Sequence, residues 1–310
     1  MGESFRGFEA KAFEAFEPRK WASNVYNVER MAVRDQLRAL GAALEPALTV
    51  GRTLAWDVTT HAPSVFNGKR VAELVLYFTR TADQQKAMAP LLDSRLSLPE
   101  QILDAGEHHR HVTLGARIDQ AGVQVGLMMH STAWLDVMNL LNRCRTPAEA
   151  AQFLKMVQSL PADATVRVAP DTIVPAPALT LADLHRLDDS VLNDPFVIFI
   201  GRTFAATDPQ LGTPQFAGVA RQCAEAVAPL WDFIAWRPAS NYLQPAAVSA
   251  AVAAEAPHAM EIEAGTRVRL VDGVFAGRDG KVTEIDPKGN VRVLVGKVTI
   301  RTDVRAIRAV

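Results

Sequence analysis

His111-Val-Thr-Leu-Gly-Ala-Arg-Ile118 and Val123-Gln-Val-Gly-Leu-Met-Met-His130, joined by Asp119-Gln-Ala-Gly122, decide the architecture of the larger part of the chain. Val112, Leu114, Ala116 and Ile118 alternate with smaller or polar residues, and so do Val123, Val125, Leu127 and Met129. Period two with one apolar face is the pattern of an antiparallel sheet that covers a core on one side. Asp119-Gln-Ala-Gly122 supplies the turn, with glycine where a positive φ is needed. The pair is therefore expected to form a hairpin.

Helices are expected around it. Ser131 is placed to cap one through Trp134, Val137, Met138 and Leu141. Thr146-Pro147-Ala148-Glu149 sets a cap, a first-turn proline and a capping-box glutamate before a second, ending near Leu160. A longer helix should run from Asn27 to just before Pro46, and another from Thr213-Pro214 to Trp236. Lys86–Leu92 and Pro99–Asp104 read as short helical pieces. Val71–Arg80 and Phe196–Ile200 read as strands, the second buried on both faces, and Asp171–Pro177 as a loop or edge strand. Phe5, Phe8, Phe13 and Phe16 should pack on their own domain. Hairpin, helices and isolated strands do not alternate as βαβ units, so the body is expected to be α+β over residues 1–240. An Ala- and Pro-rich linker is expected over 241–260.

Beyond it, five short β-type runs follow closely: Thr266–Val271, Lys281–Ile285, Asn290–Val295, Lys297–Arg301 and Val304–Val310. Glycine-bearing turns separate them, the pattern of a small all-β barrel over 261–310. Val268, Leu270, Val282, Ile285, Val293, Val295, Val298 and Ile300 are its expected apolar fill. The stretch Gly265-Thr-Arg-Val-Arg-Leu-Val-Asp-Gly-Val-Phe-Ala-Gly-Arg-Asp-Gly-Lys-Val-Thr-Glu-Ile285, with Gly289-Asn-Val-Arg-Val-Leu-Val295, resembles the KOW motif of SH3-like barrels. It is most similar to the C-terminal domain of the transcription factor NusG. Val274 stands where NusG-like loops usually carry proline. The resemblance implies binding to RNA or to a ribosomal or transcription protein, with Phe275 at the contact loop. Independently, an apolar ring on a loop with Gly273, Gly277 and Gly280 is expected either to face water or to fold back as a cap on the barrel. Arg269, Arg278, Lys281, Arg292 and Lys297 would surround it with positive charge.

Charge limits the possibilities. The 310 residues carry a net charge of −1, with 49% hydrophobic and 22% charged residues. Residues 261–310 hold ten Lys or Arg against seven Asp or Glu, a balance of +3, so the remainder stands at −4. Phosphate contacts need a basic surface, so any nucleic acid should meet the tail rather than the body. No apolar run approaches the ~18–20 residues of a membrane span. The N-terminus lacks a secretory pattern, and Cys144 and Cys223 do not make a disulfide framework, so a cytoplasmic protein without a membrane partner is expected.

In the body, His108, His109, His111 and His130 are the candidates for chemistry. With Asp104 or Glu107 the first three could ligate a metal such as zinc, although His-His-x-His matches no recognised ligand spacing. The competing reading is a solvated or hydrogen-bonded cluster. His111-Val-Thr113 resembles half of the two-histidine phosphodiesterase signature, with His130-Ser-Thr132 as the other half; that resemblance implies a general acid and base. Phosphate-loop and dinucleotide motifs are absent, so no dinucleotide and no cofactor is expected. The favoured reading is a binding protein that docks through its tail barrel. The alternative is a phosphodiesterase or metal-dependent hydrolase in the body, with the barrel as targeting module.

Overall fold

The computed structural model describes residues 4–64, 67–93, 107–191, 195–243, 262–271, 275, 278–286, 290–296 and 298–310. The helical piece expected over 99–104 and nearly all of the expected linker lie outside these residues. The strands of the body are β1 (Leu54–Val58), β2 (Glu73–Arg80), β3 (Thr113–Asp119), β4 (Gly122–His130), β5 (Thr165–Ala169), β6 (Thr172–Pro175) and β7 (Val197–Ala205). They form one antiparallel sheet in the order β1-β2-β3-β4-β7-β5-β6. β3 and β4 pair in the register the alternation demands, from Ile118 opposite Val123 to Leu114 opposite Leu127. Their apolar set is fully buried.

Seven helices accompany the strands among the described residues: α1 (Ala10–Glu14), α2 (Asn27–Leu48), α3 (Ala82–Asp93), α4 (Trp134–Arg143), α5 (Pro147–Gln158), α6 (Leu181–Ser190) and α7 (Phe216–Ile234). α2 and α7 lie against each other and across one face of the sheet. Leu37, Leu40, Leu44 and Leu48 of α2 are wholly buried there, each stabilising by roughly 1.5–3 kcal/mol. Burial of Leu48 explains why α2 runs on through Pro46. One lost N–H bond in a last turn weighs less than an exposed leucine. Phe5, Phe8, Phe13 and Phe16 are buried as expected.

Two expected caps are used differently. α4 starts with Ala133 at its cap position, and Ser131 Oγ accepts from Phe196 N at 3.2 Å, tying β4 to the entry of β7. Thr146 stands at the cap of α5 without a side-chain bond, and the reciprocal bond from Glu149 is also missing, its carboxylate accepting from Arg143 at 2.6 Å. Asp171–Pro177 resolves as the edge strand β6. β7 extends the expected strand to Ala205, with Ile198 and Phe199 buried on opposite faces.

The tail forms a second antiparallel sheet from β8 (Arg267–Leu270), β9 (Asp279–Ile285), β10 (Asn290–Val295), β11 (Val298–Asp303) and β12 (Ile307–Ala309), in the order β11-β10-β9-β8-β12. Val268, Leu270, Val282, Val293, Val295 and Ile300 fill its interior as expected. Ile285 and Val298, expected inside, lie at strand ends and are more than a third exposed; Val291, Ile307 and Phe275 complete the fill.

Candidate functional site

The side of the large sheet that faces α2 and α7 contains a charged network. Arg80, at the end of β2, is 3% exposed and Asp136 of α4 is 0% exposed. The guanidinium donates twice to the Asp136 carboxylate, at 2.8 and 2.6 Å, and once to Trp236 O at 2.9 Å. Asp136 also accepts from Val112 N and Trp236 N, each at 2.8 Å. Burial alone would raise the Asp136 pKa. The Arg80 charge and hydrogen bonds, helped by His111 and Val112 N–H, outweigh it and hold the carboxyl below its ordinary value. His111 belongs to this network. It is 1% exposed and its Nδ1 lies 3.3 Å from an Arg80 nitrogen. Burial pushes its pKa down to about 4, so at neutral pH it is an uncharged acceptor. Thr113, also buried, donates to Met128 O at 3.1 Å.

His108, His109 and His130 lie elsewhere, in a row of rings. Tyr77 of β2 stacks on His108 at 5.3 Å, His108 meets His109 at 4.1 Å, and His109 stacks on His130 at 4.4 Å. Burial lowers all three imidazole pKa values, that of His108 to about 4, and their mutual repulsion adds to the effect at His108 and His109. His130 Nδ1 pairs with Thr132 Oγ1 at 2.6 Å. Beside the row is a cavity of about 520 Å³ lined in part by Arg34, Asp57, Glu73, Tyr77, His108 and His109. The expected candidates are thus divided. His111 and Thr113 serve the core, while His108, His109 and His130 share the ring row. Among the described residues no three His, Cys, Asp or Glu are arranged to hold a metal ion. The alternation that made the hairpin legible could not foretell this, because His111 precedes β3 and follows the turn Glu107–His109.

The same far face of the sheet carries a feature that sequence reading missed. Gly115, Gly126 and Gly201 stand opposite one another on β3, β4 and β7, with Tyr77 beyond one end and Thr165 beyond the other. A Cβ at Gly126 would collide with the Ile200 carbonyl, and one at Gly201 with that of Val125. The row lets the strands curve tightly. Val75, Met128 and Phe199 close over it as a small apolar cluster with Tyr77 and Val197. Three glycines at the centres of separate strands are the signal that could have found it.

On the tail, Phe275 is 4% exposed, so its ring is buried and does not face water. Arg278 reaches the Asp188 carboxylate of α6, with Asp189 at 4.0 Å. Lys297 lies outside the described residues. Arg269, Lys281 and Arg292 are exposed and share the outward face with Arg267, Arg301 and Arg308. Registry sets cations opposite cations: Arg269 with Arg308, Arg267 with Lys281, and Arg292 with Arg301. Asp279 pairs with Arg269 at 2.7 Å, Glu284 with Arg292 at 3.3 Å and Asp286 with Arg301 at 3.1 Å. Arg267, Lys281 and Arg308 form no ion pair among the described residues, although Arg267 acts on Asp279 from a distance. The chain is therefore an α+β protein with two antiparallel sheets, the smaller of them basic on its outside. Neither a described protein family nor a curated protein sequence matches it.

Proposed function

We propose that this protein binds RNA through the outward face of its C-terminal sheet, a KOW-like module carried by an α+β body. The observation that carries the reading is the three like-charged cross-strand pairs. Like charges directly opposite destabilise a sheet, by up to about 1 kcal/mol a pair. A phosphate backbone laid across them turns that repulsion into attraction. RNA is favoured over a protein partner because Phe275, the ring a protein-docking loop would present, is buried. The hydrolase alternative gains nothing from the geometry. His111 is occupied by Arg80, and His130 by His109 and Thr132.

The test is fluorescence anisotropy of the full chain with a single-stranded RNA over a salt series. Replacing Arg267, Lys281 and Arg308 by Gln should weaken binding and reduce the salt slope by about two, at ~0.7 per phosphate contact. Equal affinity and slope for the variant and the parent would sink the proposal. Pull-down with and without RNase then separates RNA from protein docking: capture that survives RNase argues for a protein.

A further inference from the structure

The face of the large sheet turned away from α2 and α7 carries a group of arginines that the ring row does not use. A cavity of about 400 Å³ opens there, lined by Arg117, Gln124, Thr165, Arg167 and Thr203, with Asp119 and Asp163 among its other residues. Arg117, Gln124 and Thr203 are opposite one another on β3, β4 and β7. Arg167 enters from β5, where a bulge against β6 follows it. Bulges of this kind re-aim a side chain and often flank functional sites.

Arg167 is the anomaly. Arg52, Arg143 and Arg202 are similarly half-buried, and each holds a carboxylate, at 2.6, 2.6 and 2.5 Å. Arg167 makes neither a hydrogen bond nor an ion pair with any described residue, and its Nε is buried without a partner. Arg117 gives one end of its guanidinium to Glu73 at 2.7 Å and to Asp119 at 3.2 Å, yet its Nε is also buried and unpartnered. Asp119 and Glu73 attract the Arg167 charge without bonding to it, and withdrawing a guanidinium from water with its hydrogen bonds unmade costs stability. Such a group is pre-organised to gain from an oxyanion.

We propose that this cavity binds a phosphate monoester of a small organic molecule, with Arg167 as its main anchor. Two guanidinium groups, two threonine hydroxyls and the Gln124 amide offer more donors than a two-oxygen carboxylate can use. A tetrahedral phosphate with three free oxygens fits that set. The volume falls in the ~300–1,000 Å³ range of small-molecule sites and leaves room for an organic part. Asp119 and Asp163 add negative charge beside the site, which disfavours a long polyanion and separates it from the RNA surface of the tail.

The test uses the full chain, with calorimetric titration of inorganic phosphate, glycerol 2-phosphate and, for comparison, malonate. Glycerol 2-phosphate should bind saturably, one per chain. Arg167→Gln should weaken it roughly tenfold or more, a charged hydrogen bond being lost, and Arg167→Lys should recover part. Ligand-free Arg167→Gln should melt no lower than the parent, because it removes a half-buried charge that no hydrogen bond satisfies. Failure of both phosphates to saturate the parent overturns the site, as does undiminished binding by Arg167→Gln. Tighter binding of malonate overturns the ligand class. Marked destabilisation of ligand-free Arg167→Gln would show Arg167 to be structural and overturn its role as anchor.

Discussion

Arg80 and Arg167 sit on the same sheet and meet opposite fates. Arg80 points to the helix-covered side and is surrounded by a carboxylate, a carbonyl and a neutral imidazole. Arg167 points to the other side and has no such partner. A buried charge held by several hydrogen bonds joins elements that are distant in sequence; here β2, α4 and the segment at Trp236 meet through one carboxylate. A half-buried charge with donors to spare stores the capacity to bind something else. The lesson is that the satisfaction of an arginine, more than its burial, separates scaffold from site.

The sharpest way to break this comparison is Asp136→Ala. It leaves Arg80 buried and unpaired, and should cost about 3–5 kcal/mol in a urea unfolding curve. The double variant Arg80→Met, Asp136→Leu should recover only part of that loss, since it removes the unpaired charge but leaves the Val112 and Trp236 N–H groups without their acceptor. A loss no larger for Asp136→Ala than for an ordinary surface change would refute the scaffold role.

The glycine row comes next. Gly126→Ala forces a Cβ into the Ile200 carbonyl and should cost about 1–3 kcal/mol through strand displacement. Unchanged thermal stability would mean that the far face is more open than described.

The ring row gives a pH dependence. The folded-state pKa values of His108, His109 and His130 lie below the ordinary 6.5. The unfolded chain therefore binds more protons across this window, and stability falls as pH falls. The contribution is whole above about pH 6.5 and is lost as pH drops toward about 4, where His108 titrates. Tyr77 and Thr132 touch the row, Arg117 acts on His109, and Arg34, Asp57 and Glu73 line the adjoining cavity. Melting at pH 7 and pH 5 should show a larger drop for the parent than for His108→Gln, His109→Gln. Equal drops would remove the row from the account.

The smallest effect belongs to the tail. Arg308→Ala should change stability by no more than about 0.5 kcal/mol, because the side chain is exposed and unpartnered. A larger loss, read from the same urea curves, would mean that the basic face supports the fold.

Much of the fold was legible because it rests on local periodicity. The β3–β4 hairpin, the apolar face of α2 and the five tail strands each follow from spacing that a few neighbouring residues reveal. Caps were less legible. Ser131 and Glu149 had competing partners at Phe196 and Arg143, and tertiary contact won. Phe275 shows the limit on the functional side: glycine neighbours mark a loop, but whether its ring is buried depends on what the folded chain sets around it.

By itself the sequence determined that two sheets form, which of their residues face a core, and that the tail carries the positive charge. Alternation and composition are properties of the chain, and burial of apolar surface enforces them locally. Only the tertiary structure decided that His111 joins Arg80 while His109 joins His130, that three glycines fall into one line, and that Arg167 is hydrogen-bonded to none of the described residues. Those outcomes depend on which strands become neighbours, and a charge finds or misses its counter-charge only after the chain has closed around it.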